Sequence, residues 1–230
     1  MNACVVTDLG VNYQATTALE KVSFSVRTGT IMGLIGPNGA GKSTALKAMV
    51  GLVPHTGTVR LADGISLGYM PQAADVDWDF PITVEKVVEM GRYPKLGWFK
   101  RLRPADHEAV EAALERVGIA NLHKRQIGQL SGGQRKRVFL ARILAQDPGL
   151  YLLDEPFAGV DVASESVIHR VLHELRDAGK TIVIVHHDLA TVRHLSDDVT
   201  IINRSVVASG PAKATLSPDN LERAFGLGIA

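Results

Sequence analysis

An α/β fold is predicted for this chain: a parallel sheet covered by helices, an antiparallel β subdomain near the N-terminus, and a helical subdomain inserted at approximately residues 73–146. Three observations predict it. Residues 31–35, 150–153 and 181–185 are short, nearly continuous apolar runs rich in Ile, Val and Leu. Such runs read as strands buried on both faces. Residues 4–9, 22–26 and 58–61 alternate or lie between turn formers, as antiparallel strands do. From about residue 73 a helical period takes over.

Taken in chain order, the N-terminal alternating segments form the small β lobe. The run 31–35 then ends in a glycine-rich turn, run 150–153 in Asp154-Glu155, and run 181–185 in His186-His187-Asp188. In open α/β sheets the ligand lies beyond the carboxyl ends of the strands, so three ends carrying reactive groups point to one site. Within the insertion, Thr83 caps a helix carrying Val84, Val87, Val88 and Met90; Asp106 caps another with Val110, Leu114 and Val117 on one face. Residues 91–98 between them are turn-rich and expose aromatic rings. No repeat, low-complexity tract or linker divides the chain, so residues 1–230 are expected to form a single domain.

Composition narrows the function. Hydrophobic residues make up 46% and charged residues 21%, with 25 Lys+Arg against 24 Asp+Glu. That balance gives no electrostatic case for nucleic acid as a main partner. One cysteine, Cys4, cannot form an internal disulfide, which suits a reducing compartment. Met1-Asn2-Ala3 leads into a strand-like segment without a basic start and apolar stretch, so no secretion signal is expected. The apolar runs fall far short of the ~20 residues needed to cross a bilayer.

The segment Gly36-Pro37-Asn38-Gly39-Ala40-Gly41-Lys42-Ser43 fits the P-loop pattern, follows a strand and leads into the helix-like Thr44-Ala45-Leu46-Lys47-Ala48-Met49. Its glycines let backbone N–H groups turn inward around phosphates, and the following helix aims its positive end at them. Lys42 is placed to reach the β- and γ-phosphates of ATP and the Ser43 hydroxyl to ligate Mg²⁺. The glycine spacing is not that of a dinucleotide fingerprint. After the second core strand, Asp154 is placed to hold the Mg²⁺ shell and Glu155 to polarise the attacking water. His187, after the third, could bond the γ-phosphate and that water. Although His186, His187 and His194 lie close in sequence, neighbouring residues on a strand end point opposite ways, so His186 reads as a packing or surface residue.

Leu130-Ser131-Gly132-Gly133-Gln134 is first a capping box that opens a helix, with Ser131 and Gln134 three residues apart. With the P-loop and Leu150-Tyr151-Leu152-Leu153-Asp154-Glu155, it makes the sequence resemble the ATP-binding-cassette (ABC) family over almost the whole chain. The resemblance implies a P-loop ATPase core and a nucleotide-binding set running from Gly36 through Thr44. It implies that Ser131, Gly132, Gly133 and Gln134 contact the γ-phosphate of ATP held by the other subunit's P-loop. Tyr13 matches the aromatic that stacks on adenine, Gln72 the glutamine that touches Mg²⁺ and water, and Asp161 the aspartate that couples the two sites. The residues before Asp161, Ala158-Gly159-Val160, depart from the family's usual Ser-Ala-Leu. Arg135-Lys136-Arg137 is more basic than is common there and reads as a solvated helix face.

The resemblance also implies partners. Two copies would trap two ATP molecules head to tail and would drive an integral membrane permease fed by an extracytoplasmic metal-binding protein. The chain would then sit peripherally on the cytoplasmic side of the inner membrane. Residues 76–84, 88–93, 96–99 and 157–161 look like the subgroup serving manganese, zinc and iron importers, with manganese nearest. A soluble cassette acting on DNA or ribosomes would usually carry two cassettes or a coiled-coil insertion, and this chain has neither.

Overall fold

The computed structural model describes residues 1–14, 16–72, 77–96 and 101–226. Strands β1 (Asn2–Tyr13), β2 (Thr16–Arg27) and β4 (Thr56–Leu61) form an antiparallel sheet in the order β2-β1-β4. A six-stranded sheet runs β5-β6-β7-β3-β8-β9, built from β3 (Ile31–Ile35), β5 (Leu67–Met70), β6 (Leu150–Asp154), β7 (Thr181–Val185), β8 (Asp198–Asn203) and β9 (Ser205–Pro211). Five of these strands are parallel and only β9 runs against its neighbour. The α/β class is therefore as predicted, and β3, β6 and β7 are buried at every position.

Two parallel strands escaped the sequence reading. In β8, Asp198 and Thr200 interrupt the apolar run. Both polar groups are satisfied in place, Asp198 by a two-pronged ion pair with Arg27 and Thr200 by the Ser209 hydroxyl at 2.8 Å. In β5 only four residues separate turn formers, too few for a periodic signal.

Alternation along the strands splits the interior into two layers. Leu150, Leu152, Val183 and Val185 face helix α1 (Lys42–Met49) and the inner face of β1 and β2. Tyr151, Leu153, Ile182 and Ile184 face the helical side. There α2 (Val84–Glu89), α4 (Pro104–Arg116), α5 (Gly132–Gln146) and α6 (Val162–Asp177) pack together, while the short α3 (Tyr93–Leu96) follows α2 with its Leu96 buried. Three further helices, α7 (Leu189–Leu195), α8 (Ala212–Thr215) and α9 (Pro218–Phe225), close the far edge. Leu140 lies at the centre of the helical layer at 1% exposure. Leu140→Ala should lower unfolding free energy by about 2–5 kcal/mol in a urea titration, and a loss below about 1 kcal/mol would mean the layer is not packed as described.

Two local expectations need correction. Thr83 caps α2, its hydroxyl accepting from the Lys86 N–H, but Asp106 does not cap α4. The helix begins three residues earlier, capped at Arg103, because Pro104 is preset for its first turn. Asp106 instead accepts from the Arg103 N–H at 3.0 Å and pairs with Arg92 at 2.7 Å. Residues 90–96 are a 3-10 turn followed by a short helix, with Tyr93 exposed and Leu96 buried. Val76 and residues 97–99, used in the subgroup resemblance, and Trp98 of the aromatic stretch lie outside the described residues.

Candidate active site

The phosphate loop grows out of β3, the strand between β7 and β8. Its shape depends on residues without side chains. Gly36 takes φ +155°, and a Cβ there would run into the carbonyl of Ile202 on β8. Gly41 caps α1 at φ +94°, a left-handed conformation disfavoured for residues with a Cβ. The main chain of Arg204, just past β8, clasps the loop: its N–H donates to Ala40 O at 3.0 Å while its carbonyl accepts from the Glu20 N–H of β2 at 2.8 Å. Phosphate loop and β lobe are thus held by one residue.

Inside the loop, the Lys42 ammonium donates to the carbonyls of Gly36 and Pro37, both at 2.8 Å. Burial pushes the Lys42 pKa down, opposed by the carboxylates of Glu155 and Asp154. The Ser43 hydroxyl donates to Asp154 Oδ1 at 3.0 Å, and the Tyr69 hydroxyl reaches the other carboxylate oxygen at 3.5 Å. Asp154 is fully buried at the end of β6. A hydroxyl and a carboxylate oxygen side by side are the donor chemistry that a hard, oxygen-seeking cation such as Mg²⁺ prefers.

A cleft of about 450 Å³ opens over this pair. Tyr13, Ala18, the loop from Asn38 to Thr44, Gln72 and Glu155 line it. Of the residues singled out in the sequence, the cleft collects Tyr13, Asn38, Gly39, Ala40, Gly41, Lys42, Ser43, Thr44, Gln72 and Glu155. Gly36 and Pro37 lie behind it, reached by Lys42. Tyr13 keeps 46% of its surface exposed, leaving its ring available for stacking. Glu155 is half-buried at φ +50°, a left-handed conformation that costs a non-glycine residue about 1–2 kcal/mol.

The remaining candidates stand outside the cleft. His187 is exposed past the end of β7. His186 is the packing residue: its ring lies 5.2 Å from that of Phe157, and its Nδ1 accepts from the Asp188 N–H at 2.8 Å. Burial drives its pKa down to about 4, so it is neutral. Ser131 caps α5 reciprocally with Gln134, through bonds of 3.0 and 3.3 Å. Asp161 caps α6, accepting from both the N–H and the hydroxyl of Ser164 at 2.9 Å, and these bonds hold its carboxyl below the usual range. A Cβ on Gly133 would collide with that same Ser164–Asp161 pair, so the start of α5 sits directly on the start of α6.

Residues 19–158, which span the phosphate loop, the α5 cap and the β6 carboxylates, match the sequence family described as ABC transporter. The chain belongs to the ABC transporter family. A Halalkalibacterium halodurans protein named a manganese transport system ATP-binding protein is 46% identical over 98% of this chain and 93% of its own. A Yersinia pestis protein named a chelated iron transport system membrane protein is 47% identical over 96% of this chain and 78% of its own. Among solved structures, an inward-facing ABC transporter assigned to the metal-chelate type superposes with a TM-score of 0.88 at 28% identity, covering 99% of this chain and 90% of that one. The chain is accordingly a nucleotide-binding ATPase, a subunit of a transport system that works with membrane permease components. Among its described residues no helix is long and apolar enough to cross a membrane.

One expectation from the sequence of this ABC protein does not hold. Arg135-Lys136-Arg137 is not a solvated face. Arg135 lies over the Trp78 ring at 4.8 Å, Arg137 reaches the Val117 carbonyl at 3.3 Å, and Lys136 is 5% exposed with its ammonium on the Glu155 carbonyl at 2.7 Å. The helical period carried the signal, since Lys136 precedes the buried Leu140 by four residues and so shares its face.

Proposed function

We propose that the chain is the ATPase of a divalent-metal importer, most specifically a manganese importer, acting as a homodimer that sandwiches two ATP molecules. It would serve a membrane permease supplied by an extracytoplasmic metal-binding protein, from the cytoplasmic side of the membrane. The ATPase reading is carried by the cleft that gathers Lys42, Ser43, Gln72 and Glu155 on one nucleotide-sized surface. The cargo reading rests on the names of full-length relatives, and the iron system of Yersinia pestis makes iron the second reading, with zinc beside it.

In this mechanism Tyr13 stacks on adenine and the backbone N–H groups of residues 38–44 wrap the phosphates. Lys42 exchanges the two loop carbonyls for phosphate oxygens, a swap that leaves its donors satisfied. Ser43, Asp154 and Gln72 would hold Mg²⁺, which would offset charge on the phosphates. Glu155 takes the proton of the attacking water and His187 senses the γ-phosphate. The partner's copy of the segment from Ser131 to Gln134 would close the site, its helix start presenting free N–H groups to the γ-phosphate. Asp161, held rigid by Ser164, lies where α5 and α6 meet and is suited to relay between the two sites. The helical subdomain from about residue 73 to 146, which carries exposed Met90 and Tyr93, would face the permease.

The cargo is tested by total manganese, iron and zinc in cells carrying either the intact chain or Glu155→Gln, each metal limited in turn. Manganese should fall selectively in the variant. A fall in iron or zinc alone would reassign the cargo, and no change in any of the three, with the variant protein present, would remove the metal reading.

A further inference from the structure

We infer that Lys136 is a positioning residue that ties the α5 cap, Ser131, to the general base Glu155 of the same chain, so that one nucleotide site sets the other. The inference rests on the roles proposed above for Ser131 and Glu155.

Lys136 is an unusual tenant of a helical core. It is 5% exposed, one turn beyond the glycines that follow Ser131. Its ammonium donates not to a solvated partner but to the main-chain carbonyl of Glu155 at 2.7 Å. Burying an ammonium is costly unless its contacts repay it. Desolvation does push its pKa down, and the carboxylates of Glu155 and Asp154 pull the other way.

The carbonyl it holds belongs to a residue in a left-handed conformation, φ +50°. Without an outside constraint, a non-glycine residue there would relax and swing its side chain away. Only one other donor reaches that carbonyl among the described bonds, the Ala158 N–H at 3.2 Å. Lys136 therefore supplies the shorter of the two restraints on the catalytic turn.

The packing around it makes α5 and this turn one body. Gly132 leaves only 3.1 Å between an added Cβ and the Gly159 carbonyl, and Gly133 abuts Ser164 and Asp161. In the dimer Ser131 faces the partner's ATP while Glu155 faces its own. A shift of α5 as Ser131 engages the partner's γ-phosphate thus reaches Glu155 through the Lys136 ammonium, with no contact to either nucleotide.

The test compares Lys136→Met, which keeps length and loses the donor, with Lys136→Gln, which keeps a donor without charge. Steady-state ATPase of the purified chain should show kcat reduced about 10- to 100-fold in Lys136→Met, the worth of one hydrogen bond to a charged group, with KM for ATP within about twofold. Lys136→Gln should recover most of that loss. In the Glu155→Gln background, Lys136→Met should still permit the ATP-bound dimer on size-exclusion chromatography, because Ser131 and α5 remain in place. Unchanged kcat in Lys136→Met would overturn the inference. So would loss of the dimer together with a raised KM, which would make Lys136 only a packing element, and so would Lys136→Gln as slow as Lys136→Met. Glu155→Gln measured alone separates the two levels: if it keeps full turnover, the assignment of the base fails first.

Discussion

Glu155→Gln is expected to lower ATP turnover by about 10²- to 10⁴-fold, the range for removing a general base, while leaving ATP binding intact. The substitution is nearly isosteric and changes nothing in the main chain that Lys136 and Ala158 hold. What it removes is the proposed proton acceptor, a carboxylate that lines the cleft together with the phosphate loop. In the proposed cycle binding closes the sandwich and hydrolysis opens it, so the variant should accumulate as an ATP-bound dimer. Size-exclusion chromatography with and without ATP reads this directly. A species that stays monomeric at high protein concentration would count against the sandwich, and wild-type turnover would remove Glu155 from the mechanism.

Lys42→Ala should fail one step earlier. The ammonium already bridges two carbonyls of its own loop at 2.8 Å, so its loss deprives the loop of a brace as well as the phosphates of a cation. Hydrogen bonds to charged groups contribute about 1.5–3 kcal/mol each, and losing one or two would weaken ATP binding by at least about 10-fold to 100-fold. Isothermal titration with ATP measures it, and hydrolysis should fall with it. Unchanged affinity would show that the cleft is not the nucleotide site. The two variants differ in kind: one binds without turning over, the other does neither.

Much of this site was legible because its chemistry is local. The phosphate loop is contiguous, its glycines needed at fixed offsets, and Asp154 and Glu155 follow an apolar run that can only be a buried strand. The capping box at Ser131 was legible for the same reason, since both partners lie within four residues. What stayed hidden depends on distant partners. β8 was disguised by Asp198, whose ion-pair partner Arg27 is 171 positions away. Tyr69 gave no sign that its hydroxyl faces Asp154, 85 residues on. Lys136 reads as a solvent-facing charge from its basic neighbours on both sides, whereas its spacing of four from buried Leu140 puts it on the core face. Asp106 looks like a cap by residue type, but Pro104 starts the helix earlier and leaves Asp106 inside its first turn.

The single-residue clasp at Arg204 carries a consequence for how such chains are divided. The floor of the cleft is written in residues 38–44, yet that floor leans on Ile202 and hangs from the Arg204 peptide more than 150 positions later. The carbonyl of the same residue holds β2, the strand that begins just after Tyr13. The late hairpin of β8 and β9 supplies no lining residue, yet it serves as the keystone against which both ends of the cleft are set. A fragment cut after Asp161 would keep every lining residue and lose the arch they stand in. Exchanges between related chains should therefore move the phosphate loop and this distant hairpin together.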